Sequence, residues 1–168
     1  MPWRAPYRFW RHAFGDEADV RRAFPPDGMA RIERSIREGE ATHRGQVCVA
    51  IEPALPLARV IAKLAPRTRA LEVFGQLRVW DTDENNGVLI YVLLADRDVE
   101  IVADRGIDRR VGHGAWEEVC QRMEAIFREG RHVDAVEEGV REVSALLALH
   151  FPGDGKDRNE LPDRPVVL

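Results

Sequence analysis

One run of consecutive apolar residues, at positions 88–94, constrains the fold of this chain more than any other feature of its sequence. The run is too short to span a membrane, and its richness in β-forming residues favours a buried central strand. Residues 95–98, three of which are charged, turn the chain, and residues 99–103 have the pattern of a second strand. The two runs therefore predict an antiparallel hairpin within a sheet.

The remaining patterns predict the elements around this hairpin. A further, mostly apolar strand is expected at 46–51, followed by a helical stretch over 57–74 that Pro66 divides in two. A short edge strand is expected at 77–80, before the polar loop 81–87. Apolar residues spaced by three and four predict amphipathic helices, at 28–40, 115–129 and 133–150. This order of elements indicates an α/β fold, a three-layer α/β/α sandwich around a mixed, mostly four-stranded sheet with a central antiparallel hairpin.

The charge and length of the chain exclude several classes of protein. The 168 residues include 25 Lys and Arg and 29 Asp and Glu, a net charge of −4, which argues against general nucleic-acid binding. Neither a transmembrane segment nor a secretory signal is evident, so the cytoplasm is the expected location. We expect one domain at 27–150, an aromatic and basic segment at 1–26, and a polar tail at 151–168. The tail is too polar to order itself, although residues 165–168 can dock locally.

Four aromatic residues near the N-terminus are spaced by four, three and four positions, which places them on one stripe of a helix. They are Trp3, Tyr7, Trp10 and Phe14, and arginines lie beside them. Such a stripe can dock on a protein partner or lie in a membrane interface. It can equally pack its rings on the domain that follows, and the sequence leaves both interpretations open.

The loop at 81–87 and the exit of the hairpin bring acidic side chains to one end of the sheet. In an antiparallel hairpin, the entry to the first strand lies beside the exit from the second. Oxygen ligands for Ca²⁺ or Mg²⁺ are therefore expected to converge there, from Asp81, Asp83, Asn86, Asp104 and Asp108. A helical calcium loop is excluded, because its twelfth position is Val92 where a glutamate is needed.

The opposite end of the sheet is an alternative site. If the strand at 46–51 runs parallel to the central strand, Glu52, Asp96, Arg97 and Asp98 meet where the strands end, a common place for ligands in open α/β sheets. A strand length of about 24 Å separates the two ends, so the two groups cannot hold one ion. A third interpretation is that these Asp and Asn residues only cap turns and keep the loops solvated.

Several segments, taken together, resemble the TPM domain family. They are Trp80, residues 85–92, 96–97 and 99–102, Gly106 with Ile107, Trp116, residues 127–130, Ala135 and Gly139. The resemblance covers about residues 27–150 and implies an α/β/α sandwich. It also implies two functional precedents: thylakoid-lumen relatives described as acid phosphatases, and bacterial relatives that bind divalent cations, calcium among them. Other members are accessory proteins of membrane complexes.

The chain departs from the family pattern after the second hairpin strand. Many relatives have Gly-Tyr-Gly there, whereas this chain has Asp104, Arg105 and Gly106, which places a positive charge beside the first site. The weak catalytic inventory and the aromatic, basic N-terminus favour a cytoplasmic binding or accessory module that acts with a membrane-bound relative and is peripheral at the membrane. The alternative is a divalent-metal-binding, phosphatase-like domain that hydrolyses phosphomonoesters with the help of Ca²⁺ or Mg²⁺.

Overall fold

The structure is a computed structural model, which describes residues 4–155 and 159–168 and, within the first helix, the side chains from residue 8 onward. The helices in this part of the chain are α1 (Arg4–Phe14), α2 (Glu17–Ala23), α3 (Pro26–Glu40), α4 (Leu57–Ile61), α5 (Pro66–Gln76), α6 (Arg105–Val111), α7 (His113–Arg128) and α8 (His132–His150). The strands are β1 (Gln46–Glu52), β2 (Gly87–Leu93), β3 (Asp98–Ala103) and β4 (Val166–Val167). Among the described residues, no helix combines the length and the apolar character needed to cross a membrane.

The four strands form one mixed sheet in the order β3-β2-β1-β4. β1 and β2 run parallel over their full lengths, from Gln46 opposite Gly87 to Glu52 opposite Leu93. β2 and β3 form the antiparallel hairpin that the apolar run predicts, and β4 pairs in parallel with the other edge of β1. The carboxyl ends of three parallel strands therefore lie at the same end of the sheet.

Helices cover both faces of the sheet, and every residue of β1 and β2 is buried. One face packs against α3, α7 and α8, through side chains such as Ile36, Met123 and Val136. The other face packs against α5 and the turn that follows it, through Val73 and Val79. The predicted three-layer α/β/α sandwich is therefore confirmed.

Local chemistry explains where several helices begin. Pro66 occupies the first turn of α5, where its missing N–H and restricted φ suit a helix start, and this confirms the predicted division of the 57–74 stretch. Apolar periodicity does not predict α2 or α6. Asp16 caps α2 in a capping box with Asp19, and Asp104 caps α6 by accepting one backbone N–H. These two short helices depend on a polar cap, which a search for apolar periodicity does not detect.

The predicted edge strand at 77–80 is wrong, because this segment forms a turn after α5. Arg78 adopts a left-handed φ of 54°, which reverses the chain. Val79 is buried, and its carbonyl oxygen lies 2.0 Å from where a Cβ on Gly87 would stand. Because only glycine permits such a close approach, the turn lies over the start of β2 instead of extending the sheet.

The expectation that the C-terminal tail does not order is wrong for residues 159–164, whereas the local docking expected of residues 165–168 is confirmed. The side-chain oxygen of Gln46 accepts the backbone N–H groups of Glu160 and Leu161, at 2.8 and 3.0 Å. Leu161 is buried against the α5 face of the sheet, and Val166 pairs with Ala50 in β1. The fourth strand of the sheet therefore comes from the tail. Residues 156–158 of the predicted polar tail lie outside the described residues.

Side chains from two layers reach the outer edge of β3. Arg67 of α5 donates a hydrogen bond to the Ile101 carbonyl and pairs with Glu100, 3.4 Å away. The sulfur of Cys120 in α7 also lies beside the backbone of Ile101, which offsets part of the rise in the pKa of this thiol that burial causes. This edge of the sheet is therefore partly occupied by the protein itself.

We predict that Leu161→Ala lowers the free energy of unfolding by about 2 kcal/mol, because it removes a buried side chain and leaves a small cavity. Val167→Ala is the matched control, since Val167 is 42% exposed against 7% for Leu161. The control is expected to change stability by less than about 0.5 kcal/mol. Urea denaturation followed by circular dichroism measures both values. Equal stabilities for the two variants would contradict the docking of the tail.

Candidate functional site

The acidic loop before β2 lies beside the first turn of α6, as the hairpin geometry predicts. The backbone N–H of Asp104 donates to the Gly87 carbonyl at 2.9 Å. A Cβ on Gly106 would lie 2.4 Å from the carbonyl oxygen of Asn85 and 2.7 Å from that of Glu84. The loop backbone therefore packs directly on α6, and the two segments form one surface.

Two of the predicted metal ligands at this surface have buried oxygens without a hydrogen-bond partner among the described residues. Asp104 accepts the Arg105 N–H at 2.6 Å through Oδ1, whereas its Oδ2 is buried and unpartnered. Asn86 donates through Nδ2 to the Arg44 carbonyl at 3.0 Å, and its Oδ1 is buried and unpartnered. Buried polar atoms normally have a partner, so these two oxygens are candidates for binding water or a cation.

The other predicted ligands at this end are differently placed. Asp108 accepts the indole N–H of Trp116 at 3.1 Å, while Asp81 and Asp83 are exposed in the loop. Across residues 4–155 and 159–168, no three side chains of Asp, Glu, His or Cys form a group that could hold a metal ion. A cation at this end would therefore depend on carbonyl and amide oxygens as well as carboxylates.

At the opposite end of the sheet, Asp96 in the hairpin turn attaches α1 to the domain. Its carboxylate accepts hydrogen bonds from Arg8, with Nη2 2.8 Å from Oδ2, and from His12, with Nε2 3.0 Å from Oδ1. The Nδ1 atom of His12 accepts the Leu55 N–H at 2.9 Å, so the ring is the neutral tautomer with its proton on Nε2. Burial alone would raise the pKa of Asp96, but Arg8 and His12 together hold it below its usual value.

Glu52, at the carboxyl end of β1, belongs to a separate buried network. Arg69 of α5 donates to it twice, with Nε 2.9 Å from Oε2 and Nη2 3.0 Å from Oε1. Tyr91 donates its hydroxyl to the same carboxylate at 2.6 Å. Burial, together with the hydrogen bond to Glu52, raises the pKa of Tyr91, so this hydroxyl stays protonated. Protein donors therefore already occupy both oxygens of Glu52.

Asp98 is the first residue of β3, and the surroundings of its carboxylate disfavour the charged form. Its Oδ1 is buried and has no hydrogen-bond partner among the described residues. Burial raises the pKa of Asp98 to about 7, and the negative charges of Glu100, Glu124 and Asp96 add to this effect, while Arg8 opposes it. The four residues of the alternative site thus lie in different environments: Glu52 and Asp96 are bound by protein donors, and Asp98 is crowded by other carboxylates.

Arg97, the fourth residue of the alternative site, lines an open groove of about 700 Å³. We call it the arginine groove, and its lining is Arg11, Phe14, Gly15, Asp19, Arg22, Ala23, Pro53, Leu94, Ala95, Arg97, Gly130 and His132. Leu94 and Ala95 directly follow β2, and Pro53 directly follows β1. The groove therefore lies at the carboxyl ends of the two parallel strands, where open α/β sheets bind ligands.

The outer side of α1 exposes two aromatic rings next to this groove. Trp10 is 55% and Phe14 72% exposed, and their rings stack with centroids 5.6 Å apart and an angle of 9° between planes. For these two residues, packing of the aromatic stripe on the domain is therefore wrong. Trp3 lies outside the described residues, and so does the side chain of Tyr7.

The patterns in the sequence do not identify the residues that attach α1 or most of those that line the groove. Arg8 and His12 are spaced by four positions, which is a signal for one helix face, but their partner Asp96 lies 88 and 84 residues away. Arg22 and His132 also carry no motif, although they line the same groove in the folded chain. Such residues are visible only in the folded chain.

The fold and its two ends define an α/β/α sandwich domain built on a mixed sheet, with one parallel crossover and one antiparallel hairpin. The sequence model of the TPM domain matches residues 18–146, and this protein belongs to the TPM domain family. The predicted resemblance is therefore confirmed. α1 lies before the matched region. A comparison with curated proteins finds no match.

The solved structures that are similar to this chain include two proteins of bacterial origin. The NMR structure of the BA42 protein from Bizionia argentinensis is 27% identical, covers 84% of this chain and 93% of that chain, and superposes with a TM-score of 0.75. The N-terminal domain of a protein from P. gingivalis is 17% identical, covers 82% and 90%, and has a TM-score of 0.58. The second similarity supports the fold alone.

We predict that Asp98→Asn stabilises the protein at neutral and alkaline pH. The ordinary pKa of this carboxyl is 3.8 and burial raises it to about 7, so between these values the folded state binds the proton more tightly. Ionisation of Asp98 therefore removes stability as the pH rises from about 4 to about 7. The melting temperature of the variant, minus that of the wild type, should increase between about pH 4.5 and pH 8.

The control for this pH dependence is Asp81→Asn, at an exposed aspartate. The melting temperature of this variant, minus that of the wild type, should stay nearly constant over the same pH range. Differential scanning fluorimetry in a series of buffers measures all three proteins. A pH-independent difference for Asp98→Asn would contradict the buried, crowded setting of this carboxylate.

Proposed function

We propose that this protein is a binding or accessory module of the TPM domain family that acts with a membrane-associated protein, and that it docks through the outer side of α1. The exposed and stacked pair of Trp10 and Phe14 carries this proposal. Burying about 200 Å² of aromatic surface on a partner contributes about 5 kcal/mol before the costs of association. An exposed aromatic pair of this kind is typical of a contact surface.

The attachment of α1 supports the same conclusion. Asp96 binds both Arg8 and His12, so the helix holds a defined position on the domain while its aromatic side remains open. Because α1 is already held in place, less conformational entropy is lost when its aromatic side binds a partner. Arg11 adds a positive charge in the last turn of α1, which favours a negatively charged partner or membrane surface. The family resemblance, with its accessory proteins of membrane complexes, agrees with this proposal.

We expect the double variant Trp10→Ala/Phe14→Ala to lose membrane association, because it removes the exposed rings without touching the core. The control is Ile61→Ala/Leu149→Ala, which removes two side chains that are 70% and 73% exposed elsewhere on the surface. Both proteins are tested by flotation with membranes of the organism that encodes the chain. The floated fraction should fall at least about fivefold for the aromatic variant, consistent with about 1 kcal/mol or more at this surface, and stay unchanged for the control.

Two further arms of the flotation assay separate a protein partner from a lipid surface. Membranes stripped with protease should no longer carry the wild-type protein, and pure lipid vesicles of matched charge should carry little of it. Equal flotation of the wild type and the aromatic variant would contradict docking through α1. Equal flotation on intact and stripped membranes would contradict a protein partner.

A second candidate function, divalent-cation-dependent hydrolysis of phosphomonoesters, is favoured by the unpartnered oxygens of Asn86 and Asp104. The proposed ligands are Asp81, Asp83, Asn86, Asp104 and Asp108, with Ca²⁺ or Mg²⁺ as the cation. A bound cation would polarise a phosphoryl oxygen and activate a water molecule. The buried carboxylate of Asp104 would then gain a positive partner for its free Oδ2.

Titration with Ca²⁺, Mg²⁺ and Mn²⁺, followed by amide NMR, tests this second candidate. Cation binding should shift amides in the loop 81–87 and in residues 104–108, and Asp104→Asn should abolish the shifts while the exposed Asp27→Asn leaves them unchanged. The absence of localised shifts at about 5 mM cation, above the range typical of weak calcium modules, would exclude the site. Shifts without turnover of p-nitrophenyl phosphate, or turnover unaffected by Asp83→Ala, would exclude hydrolysis at this site.

A further inference from the structure

The arginine groove is positively charged. It shares Phe14 with the aromatic pair through which α1 is proposed to dock, and Trp10 does not belong to its lining. Arg11, Arg22 and Arg97 line it from three separate elements: α1, α2 and the hairpin turn. Asp19 is the acidic residue of the lining, and it already accepts hydrogen bonds from the Asp16 backbone N–H and from Arg22. The charge of the groove is therefore positive once this exposed ion pair is counted as neutral.

Arg97 is the most available of these cations. It is exposed, and its side chain makes no hydrogen bond or ion pair with the described residues. Its backbone has a φ of 54°, in the left-handed region, because it lies in the tight turn that the Arg97 N–H closes with the Leu94 carbonyl at 3.1 Å. A defined turn therefore presents the guanidinium at the carboxyl end of β2, beside the groove.

The remaining lining is apolar or neutral. Phe14, Ala23, Pro53 and Leu94 contribute apolar surface. His132 contacts the rings of Phe24 and Phe127 and is partly buried. Burial and the charge of Arg97 lower the pKa of His132, so its ring is neutral at pH 7. A ligand that fits this lining has several negative groups with apolar groups between them.

We propose that the arginine groove binds an acidic, partly apolar peptide segment of a protein partner. This inference rests on the proposed function, in which the protein acts with such a partner. With Arg22 paired to Asp19, the charge of the groove comes from Arg11 and Arg97, which belong to two separate elements, α1 and the hairpin turn. This arrangement along an open groove suits separate carboxylates better than one compact phosphate. Arginine pairs with carboxylates in a bidentate geometry, which gives specificity as well as affinity. Phe14 belongs to both surfaces, so a segment in the groove would continue onto the aromatic face of α1.

Binding of synthetic peptides, followed by amide NMR, tests the groove directly. The probe is a capped peptide of alternating glutamate and leucine, and its comparison is the same peptide with glutamine in place of glutamate. The acidic peptide should give saturable shifts at Leu94, Ala95, Arg97 and Gly130, and the neutral peptide should give none. Raising the salt concentration from about 0.05 to about 0.3 M should weaken binding, since it screens exposed charges.

Arg97→Gln should weaken binding of the acidic peptide about tenfold, the equivalent of 1.4 kcal/mol. Arg78→Gln is a closely matched control, because Arg78 is also exposed and also has a left-handed φ of 54°. The control should change the affinity by less than about twofold, in line with the small effect of a distant surface charge. Equal affinities for the two variants, or equal shifts with the neutral peptide, would overturn the proposal. Inorganic phosphate that produces the same Arg97-dependent shifts, while the acidic peptide produces none, would also overturn it.

The outcomes for the groove and for the docking surface can be told apart. If the acidic peptide binds but Trp10→Ala/Phe14→Ala still floats with membranes, the docking function fails and the groove stands. If flotation depends on the aromatic pair but the acidic peptide does not bind, the groove fails and the docking function stands.

Discussion

The parallel pairing of β1 with β2 is the constraint on which the rest of this structure depends. Both strands are buried along their whole length, so each face of the sheet needs a layer of helices. A parallel pair also needs a crossover, and α4 and α5 provide it on one face, while α3 and α8 cover the other. The same pairing determines the two ends of the sheet. The acidic loop enters β2 at one end, and the arginine groove opens at the carboxyl ends of both strands at the other.

Those parts of the fold that depend on local periodicity can be predicted from the sequence. The apolar run of β2, the spacings in α7 and α8, and Pro66 at the start of α5 each act within a few residues of the chain. The parts that cannot be predicted depend on distant contacts. The turn at 77–80 replaces a strand because the Val79 carbonyl packs on Gly87, and the tail forms β4 because Gln46 and β1 offer it partners more than 100 residues away.

The candidate sites show the same division between local and distant determinants. The adjacency of the 81–87 loop and the start of α6 follows from hairpin geometry and is predictable. What each carboxylate does there is not, because Asp104 caps a helix and Asp108 binds an indole, and neither role leaves a pattern in the sequence. The aromatic spacing of α1 is likewise predictable, whereas its orientation depends on the distant Asp96. That carboxylate, together with the Leu55 N–H that His12 accepts, holds the helix so that Trp10 and Phe14 face outward.

The side chains at the edge of β3 have a consequence for self-association. A free strand edge is a template on which another chain can add by backbone pairing, and the growth of such pairs leads to fibres. Arg67 and Cys120 contact the backbone of Ile101 on this edge, and β4 closes the opposite edge with only two residues. Lateral growth of the sheet is disfavoured on both sides. Within the part of the chain that the structure describes, the two exposed aromatic rings of α1 are therefore not accompanied by a long free strand edge on which copies of the protein could polymerise.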